Sequence, residues 1–277
     1  MLKSSHQPKI REIAIVYICA GISSRFGGKI KQFAKVGPND EALIEYSLNE
    51  LLPIGFSRII FVVGNKTETP FRDFFGDEYR GIPVLYALQK YDEETRDRPW
   101  GTTDALCSIR GLIDCPFVVM NGDDLYGRRD AETLYNHLFR GDEEATVGYR
   151  LAEVIPDKGK TNRGIFQTNG AGYVKSIIET FDLEKNNLPQ TGNSPDDLCS
   201  MNIFALRPEI IDLLQEKLEK FKREFAGDRK AECLLPVEIS HLIEENKIKM
   251  KIYQAQDRWL GVTNPDDEEK VREKIKK

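Results

Sequence analysis

The run IAIVYICAGISSRFGGKIKQ, residues 13–32, joins an unbroken apolar stretch to a segment rich in glycine (Gly21, Gly27, Gly28) and in cations (Arg25, Lys29, Lys31). A strand that is apolar at successive positions is buried on both faces, as strands of parallel sheets are. Glycines in the turn leaving such a strand let the backbone approach an anionic ligand and free N–H groups to point at its oxygens. The turn therefore reads as a phosphate loop, against the plainer reading of an ordinary strand-to-helix connection. Neither common phosphate pattern fits. Ser23 stands where GxGxxG needs its second glycine, and the GxxxxGK[ST] window around Gly28 and Lys29 opens on Ser23 and closes on Ile30.

Outward from this stretch, RIIFVVG (58–64), IPVLYAL (82–88) and PFVVMNGDD (116–124) read as further strands, and EALIEYSLNELL (41–52) and TTDALCSIRGLI (102–113) as helices. Buried strands alternating with helices predict an α/β fold with a mostly parallel central sheet and helices on both faces. Ligands of such sheets bind beyond the carboxyl ends of the strands, where residues 19–32 lie. In the second half the pattern gives strands at 144–151, 163–169, 172–179 and 200–206, a turn-rich segment at 186–197 and helices at 208–225 and 236–246. A strand at 247–255 and a charged terminal helix at 266–277 follow. No internal repeat and no linker divides the chain, so one domain over 1–277 is expected.

Composition narrows the class. With 277 residues and 40% hydrophobic content the chain is large enough for a sizeable core. A formal charge of −5 and a pI near 5.5 argue against a nucleic-acid partner, so phosphate binding has to be local. The five cysteines are scattered without a CxxC pair, which indicates neither a disulfide framework nor a zinc site. The polar N-terminal residues and the lack of a long apolar run predict no membrane contact and a cytoplasmic location.

VVMNGDDLYG places Asp123 and Asp124 side by side after an apolar strand. Adjacent carboxylates repel unless a cation sits between them and a ligand, so a hard divalent metal is one reading and a solvated turn is the other. Paired with the cationic Gly-rich turn, the two aspartates favour metal-bridged phosphate, because Mg²⁺ commonly binds through one or two carboxylates together with substrate phosphates.

In that combination the sequence resembles the sugar-1-phosphate nucleotidylyltransferases, whose signature loop runs close to LAAGxGxRxxxxxxxKQ and whose metal aspartate lies in a strand-end GD. CAGISSRFGGKIKQ, KVGPNDEALIEYSL, WGTTDALCSIR, NGDDLYG, RGIFQTNGAGYVKSIIE, SMNIFAL and DRWLGVT occur in the family's order over nearly the whole chain. The resemblance implies a Rossmann-like nucleotidyltransferase fold of the GT-A kind, with a nucleotide-binding half at about residues 10–140 and a mixed-sheet sugar-phosphate half at about 141–277. It implies that a nucleoside triphosphate and a sugar 1-phosphate are joined into an NDP-sugar with release of pyrophosphate, with Mg²⁺ as cofactor and an assembly of like chains left open.

Residue by residue, the resemblance implies that Ala20, Gly21, Ser24, Gly101 and Thr102 approach the nucleotide and that Gln89 reads a pyrimidine edge. Arg25 would contact the departing pyrophosphate, Lys31 the transferring phosphate, and Asp123 with Asp124 the metal. Gly164, Glu179 and Asn202 match positions that hold the sugar. Two departures stand out. Thr180 replaces a lysine that binds the acceptor phosphate in many members, leaving Lys185 as a candidate substitute, and Gly261 stands where the late WxD motif has a second metal carboxylate. Asp257 is the nearest alternative acid there. His6, His137 and His241 lie outside the motifs, and no serine or cysteine elbow for hydrolysis is present. Rival readings are a cytidylyltransferase for a phosphocholine-like alcohol, with Phe166, Tyr173, Phe181 and Phe204 as candidates for a cation cage, and a catalytically silent nucleotide-sugar sensor. A glycosyltransferase is weakened because GDD is not DxD.

Overall fold

A computed structural model describes residues 12–21, 30–157, 159–262 and 267–275. The first half forms β1 (Ala14–Ile18), α1 (Leu43–Leu51), β2 (Arg58–Val63), α2 (Glu68–Phe75), β3 (Glu78–Tyr79), β4 (Ile82–Leu88), α3 (Thr102–Cys107), β5 (Phe117–Asn121), β6 (Asp124–Leu125) and α4 (Arg128–Arg140). The second half continues with β7 (Glu144–Arg150), α5 (Leu151–Val154), β8 (Thr161–Thr168), β9 (Val174–Leu183), β10 (Leu198–Leu206), α6 (Ile210–Glu224), α7 (Leu235–Glu244), β11 (Met250–Gln254), β12 (Leu260–Gly261) and α8 (Asp267–Ile275).

Side-chain alternation along β1 builds two cores at once. Ile13, Ile15 and Tyr17 pack with Ile44 and Leu48 of α1, Phe71 and Phe75 of α2, and Leu134 and Leu138 of α4. Ala14 and Val16 face the other way, among Leu106 of α3, Leu214 of α6 and Ile239 of α7. Helices thus cover both faces of the sheet, and this is why its central strands contain no polar face to read.

The main sheet runs β11-β7-β10-β5-β1-β2-β4-β3, with the β8–β9 hairpin branching from β10. Strands β4, β2, β1 and β5 are parallel, β10 runs against both β5 and β7, and β11 is parallel to β7. The chain leaves β1 towards β2 and β4, then returns to the opposite side of β1 with β5. Such a reversal opens a crevice beyond the carboxyl ends of β1 and β5, which is where open α/β sheets bind ligands.

The expected strand 116–124 is interrupted because Gly122 turns back to donate its N–H to the Ile18 carbonyl at 2.9 Å. Asp124 and Leu125 then pair separately with Leu260 and Gly261 of β12. Three helices are absent from the sequence expectation, α2, α4 and the four-residue α5, although in α4 Ala131, Leu134 and Leu138 have the i, i+3, i+7 spacing of a buried stripe and are all buried. The turn-rich stretch 186–197 contains a short 3₁₀ turn at Leu188–Thr191 that buries Leu188. All five cysteines are free and buried, and no described helix is long and apolar enough to cross a membrane.

Candidate active site

The end of β1 is clamped from β2. Cys19 donates to the Val62 carbonyl at 2.7 Å, and Thr67 Oγ1 accepts from the Gly64 N–H at 2.9 Å and donates to the Cys19 carbonyl at 3.2 Å. Ala20 is buried at this point and Gly21, the last described residue of this segment, is exposed, though neither lines the cavity of about 330 Å³ that holds Asp123 and Asp124. Ser24 and Arg25, along with Lys29, lie outside the described residues.

Gly122 packs so closely on β1 that a Cβ would stand 2.3 Å from Cys19 Sγ and 3.3 Å from the Ile18 carbonyl oxygen. This contact fixes the two aspartates that follow. Lys31 comes from the 3₁₀ turn Lys31–Phe33, which is anchored by Phe33 against Phe71 and by Gln32, only 2% exposed, packed beside Gly122. Its Nζ donates to Asp123 Oδ2 at 2.7 Å. Among the described residues nothing bonds Asp123 Oδ1.

Asp124 is buried, with its Oδ2 accepting from Asn121 Nδ2 at 3.0 Å and 3.2 Å from the Tyr126 hydroxyl. That hydroxyl has one proton and lies 2.6 Å from the Met201 carbonyl, which therefore takes the stronger bond. Burial, and next the charge of Asp123, push the Asp124 carboxyl up from 3.8 to about 7. A buried carboxylate beside a second one forms a donor set suited to a hard dication, whose charge would offset the cost of burying Asp124 as an anion. Among the described residues there is no cluster of three or more metal-ligating side chains, so a cation here would complete its shell from a ligand or water.

Gly261 lies opposite Asp124 in the β6–β12 pair, and a Cβ on it would meet Asp124 Oδ1 at 2.6 Å and the Trp259 ring at 2.4 Å. The acid missing from position 261 thus has no room there, because the Asp124 carboxylate fills the space. Asp257 does not replace it. It binds Arg129 through Nε at 2.6 Å and through the backbone N–H at 2.6 Å, at the start of α4.

Six of the expected residues line one cavity of about 330 Å³: Thr102, Asp123, Asp124, Gly164, Glu179 and Asn202. Gly164 and Glu179 are register partners across the β8–β9 hairpin, which joins β10 near its amino-terminal end through Cys199 and Ile165, and both line the cavity together with Asn121 from the end of β5 and Ser200 to Asn202 from β10. Burial raises the Glu179 carboxyl above its ordinary 4.5, opposed by the positive charge of Arg163. Asn202 holds a left-handed backbone at φ +61, where β10 shifts register against β7. Lys185 is elsewhere: it pairs with Asp157 at 2.5 Å in a neighbouring cavity of about 830 Å³. Thr180 Oγ1 is turned to the Ile178 carbonyl at 3.4 Å.

Gln89 and Gly101 meet as a unit. Gln89 is 5% exposed, and its Nε2 donates to Asp104 Oδ2 at 2.7 Å and to the Gly101 carbonyl at 3.1 Å, which uses both amide protons internally. Asp104 is in turn paired with Lys222 at 2.5 Å. Gly101 sits at φ +96 with a Cβ position 2.6 Å from the Cys233 carbonyl oxygen, so only glycine fits. Trp100 is packed under the Arg96 guanidinium at 3.3 Å and edge-on to Phe221. Of the aromatic residues considered for a cation cage, Phe166 and Phe204 are core, Tyr173 donates to Glu143, and Phe181 is 60% exposed. None lines the 330 Å³ cavity, whose aromatic wall among the described residues is Trp259.

Sequence reasoning missed Arg163, Asn121, Tyr126 and Trp259. Arg163 carried a signal, a cation directly before Gly164 inside a strand; Tyr126 carried none, because its role depends on the distant Met201 carbonyl.

The sequence model of the nucleotidyl transferase family matches residues 28–267. Among curated proteins, the chain is 27% identical over 231 residues to UTP-glucose-1-phosphate uridylyltransferase 1 of Streptococcus pyogenes, covering 76% of this chain and 73% of that one. It is 26% identical over 150 residues to the UTP-glucose-1-phosphate uridylyltransferase AglF of Haloferax volcanii, a match spanning 54% of this chain and 57% of that protein. Among solved structures, the inositol-1-phosphate CTP transferase of T. maritima superposes with a TM-score of 0.65 at 14% identity, over 96% of this chain and 97% of that one. The UDP-glucose pyrophosphorylase of Acinetobacter baumannii superposes with a TM-score of 0.66 at 15% identity, over 95% and 92%. At these identities the superpositions show a shared fold.

Proposed function

Because this chain belongs to the nucleotidyl transferase family, we propose that it joins a nucleoside triphosphate, a pyrimidine one, to a sugar 1-phosphate, giving an NDP-sugar and pyrophosphate. The observation that carries this reading is the convergence of Asp123, Asp124, Glu179, Asn202 and Thr102 on one cavity, with Lys31 bonded to Asp123 at its edge. A sugar phosphate with a second pKa near 6 is largely dianionic at neutral pH, so its oxygen attacks the α-phosphorus without a general base. The chain's work is alignment and charge neutralisation. This agrees with a site that holds carboxylates, amides and cations and has no histidine on its described wall.

Asp123 and Asp124 are the residues that would hold Mg²⁺, which when bound neutralises phosphate charge. Lys31 is placed to exchange its bond with Asp123 for one with a phosphate oxygen, and Arg25 is assigned to the pyrophosphate by its motif position. Ala20, Gly21 and Ser24 offer backbone or hydroxyl donors to the triphosphate. Gln89, with Nε2 committed, has Oε1 left to accept from a base N–H, while Gly101 and Thr102 lie beside it. Gly164, Glu179 and Asn202 take the sugar hydroxyls. Among the described lining residues Trp259 is the one aromatic side chain, which favours a sugar phosphate over phosphocholine.

A matrix of UTP, CTP, TTP and ATP against glucose 1-phosphate, other sugar 1-phosphates and phosphocholine, read by pyrophosphate release, tests the proposal. Metal-dependent release is expected with a pyrimidine triphosphate and a sugar 1-phosphate, and abolished by EDTA. Nucleotide binding without release from any pair would leave the sensor reading in its place.

A further inference from the structure

Three carboxylates, Asp123, Asp124 and Glu179, face the 330 Å³ cavity, and among its described lining residues Arg163 is the single cation. A dianionic acceptor entering such a space needs a positive partner, and Lys185 is held by Asp157 in the neighbouring cavity. Arg163 has the attributes of that partner. Its Nη1 and Nη2 donate to the carbonyls of Asn162 and Val154 at 2.9 and 3.0 Å, which are neutral acceptors, and no ion pair engages it among the described residues. Its Nε is buried and has no acceptor there, nor has the buried Nε1 of Trp259, over whose ring the guanidinium lies at 5.7 Å. Buried donors without acceptors are costly and uncommon, and two of them beside a single unpaired cation mark a place where an oxyanion is missing.

Resting on the reaction proposed above, we propose that Arg163 binds the phosphate of the sugar 1-phosphate, in the place that Thr180 leaves without a cation. The side chain is fixed for this task. Its two carbonyl bonds and the indole beneath it hold the planar fork in one orientation, so little rotamer freedom remains to be lost on binding. Arg163 also balances Glu179 and Asp124, which keeps the cavity from repelling the acceptor.

The test uses Arg163→Met, which keeps an apolar stem over Trp259, and Arg163→Lys, which restores the charge without the fork. Thermal stabilisation by inorganic phosphate and by glucose 1-phosphate is compared with stabilisation by MgUTP and, in active preparations, KM for each substrate. The expected result is that phosphate and glucose 1-phosphate stabilise the wild type, that Arg163→Met loses this while retaining the MgUTP shift, and that Arg163→Lys regains part of it. In kinetics, KM for the sugar phosphate rises at least tenfold with KM for UTP within twofold. Equal stabilisation of wild type and Arg163→Met, no stabilisation of the wild type, or a parallel loss of the MgUTP shift would overturn the assignment. Phosphate binding that depends on Arg163 without any pyrophosphate release would instead sink the reaction and keep the site.

Discussion

Lys31 and Asp123, 92 residues apart in the chain, meet through a 2.7 Å hydrogen bond between the 3₁₀ turn after β1 and the turn after β5. The pair ties the two strand ends that frame the crevice, and it places a cation and a carboxylate where a metal-bound polyphosphate would need both.

Lys31→Ala removes the cation and leaves the fold. The side chains are 20% and 26% exposed, so the pair contributes about 1 kcal/mol or less to stability, while losing a donor to a developing phosphate charge costs about 10²–10³ in turnover. Pyrophosphate release should fall accordingly, with the melting temperature moved by no more than a few degrees. Turnover within threefold of the wild type would remove Lys31 from the site.

Gly122→Ala tests the clamp beneath the aspartates. The new Cβ would meet Cys19 Sγ at 2.3 Å, an overpacking that costs about 1–3 kcal/mol. Cys19→Ala in the same chain removes that atom and should restore part of the loss, a coupling visible in a double-mutant cycle by urea denaturation. Additive costs would mean that the Ile18 carbonyl, not the thiol, sets the limit.

Glu144 supplies a pH dependence away from the site. It is buried on β7, its Oε2 accepts from the Arg207 N–H at 3.1 Å, and burial raises its carboxyl from 4.5 to about 8 against the opposing charge of Arg207. Between those values the unfolded chain releases the proton while the folded chain keeps it, so this contribution to stability is present below about pH 4.5 and is lost as pH rises through about 8. Glu144→Gln keeps an acceptor for Arg207 and does not ionise. Its melting temperature relative to the wild type should therefore climb between pH 5 and about pH 8.5, by about 1.4 kcal/mol of stability for each unit of raised pKa. A flat difference would place the carboxyl near its ordinary range.

Gln89→Ala frees Asp104 and the Gly101 carbonyl from their shared donor. A buried acceptor left unsatisfied costs about 1–3 kcal/mol, and the loosened Gly101 turn should raise KM for every triphosphate while sparing the acceptor. If Oε1 also reads the base, the preference for UTP over ATP narrows in the same variant. A change in neither KM nor preference would confine Gln89 to the core.

The fold was legible because β1, β2, β4 and β5 are apolar at nearly every position, a pattern that only a sheet covered on both faces produces. The GDD turn stood out as paired carboxylates after such a strand, whereas Lys31 stood out only through the resemblance of its Lys-Gln pair to the family loop. Helices α2 and α4 were passed over because their charged faces mask short stripes such as Ala131, Leu134 and Leu138. What spacing could not convey is which long side chains find internal partners. Lys185 is drawn to Asp157, Asp257 to Arg129, and the Gln89 amide to Asp104, each by a residue from another part of the fold. Arg163 is the converse case, a cation bonded only to carbonyls and in no ion pair among the described residues, although Glu179 and Asp124 share its cavity.

The account turns on Asp123 as the anchor of a metal-held triphosphate. Titration of UTP into wild type and Asp123→Asn, each with Mg²⁺ and with EDTA, tests this directly. The account predicts that Mg²⁺ tightens binding to the wild type at least tenfold and does nothing for Asp123→Asn, which also releases no pyrophosphate. Equal metal dependence in both proteins, or wild-type release from Asp123→Asn, would contradict it.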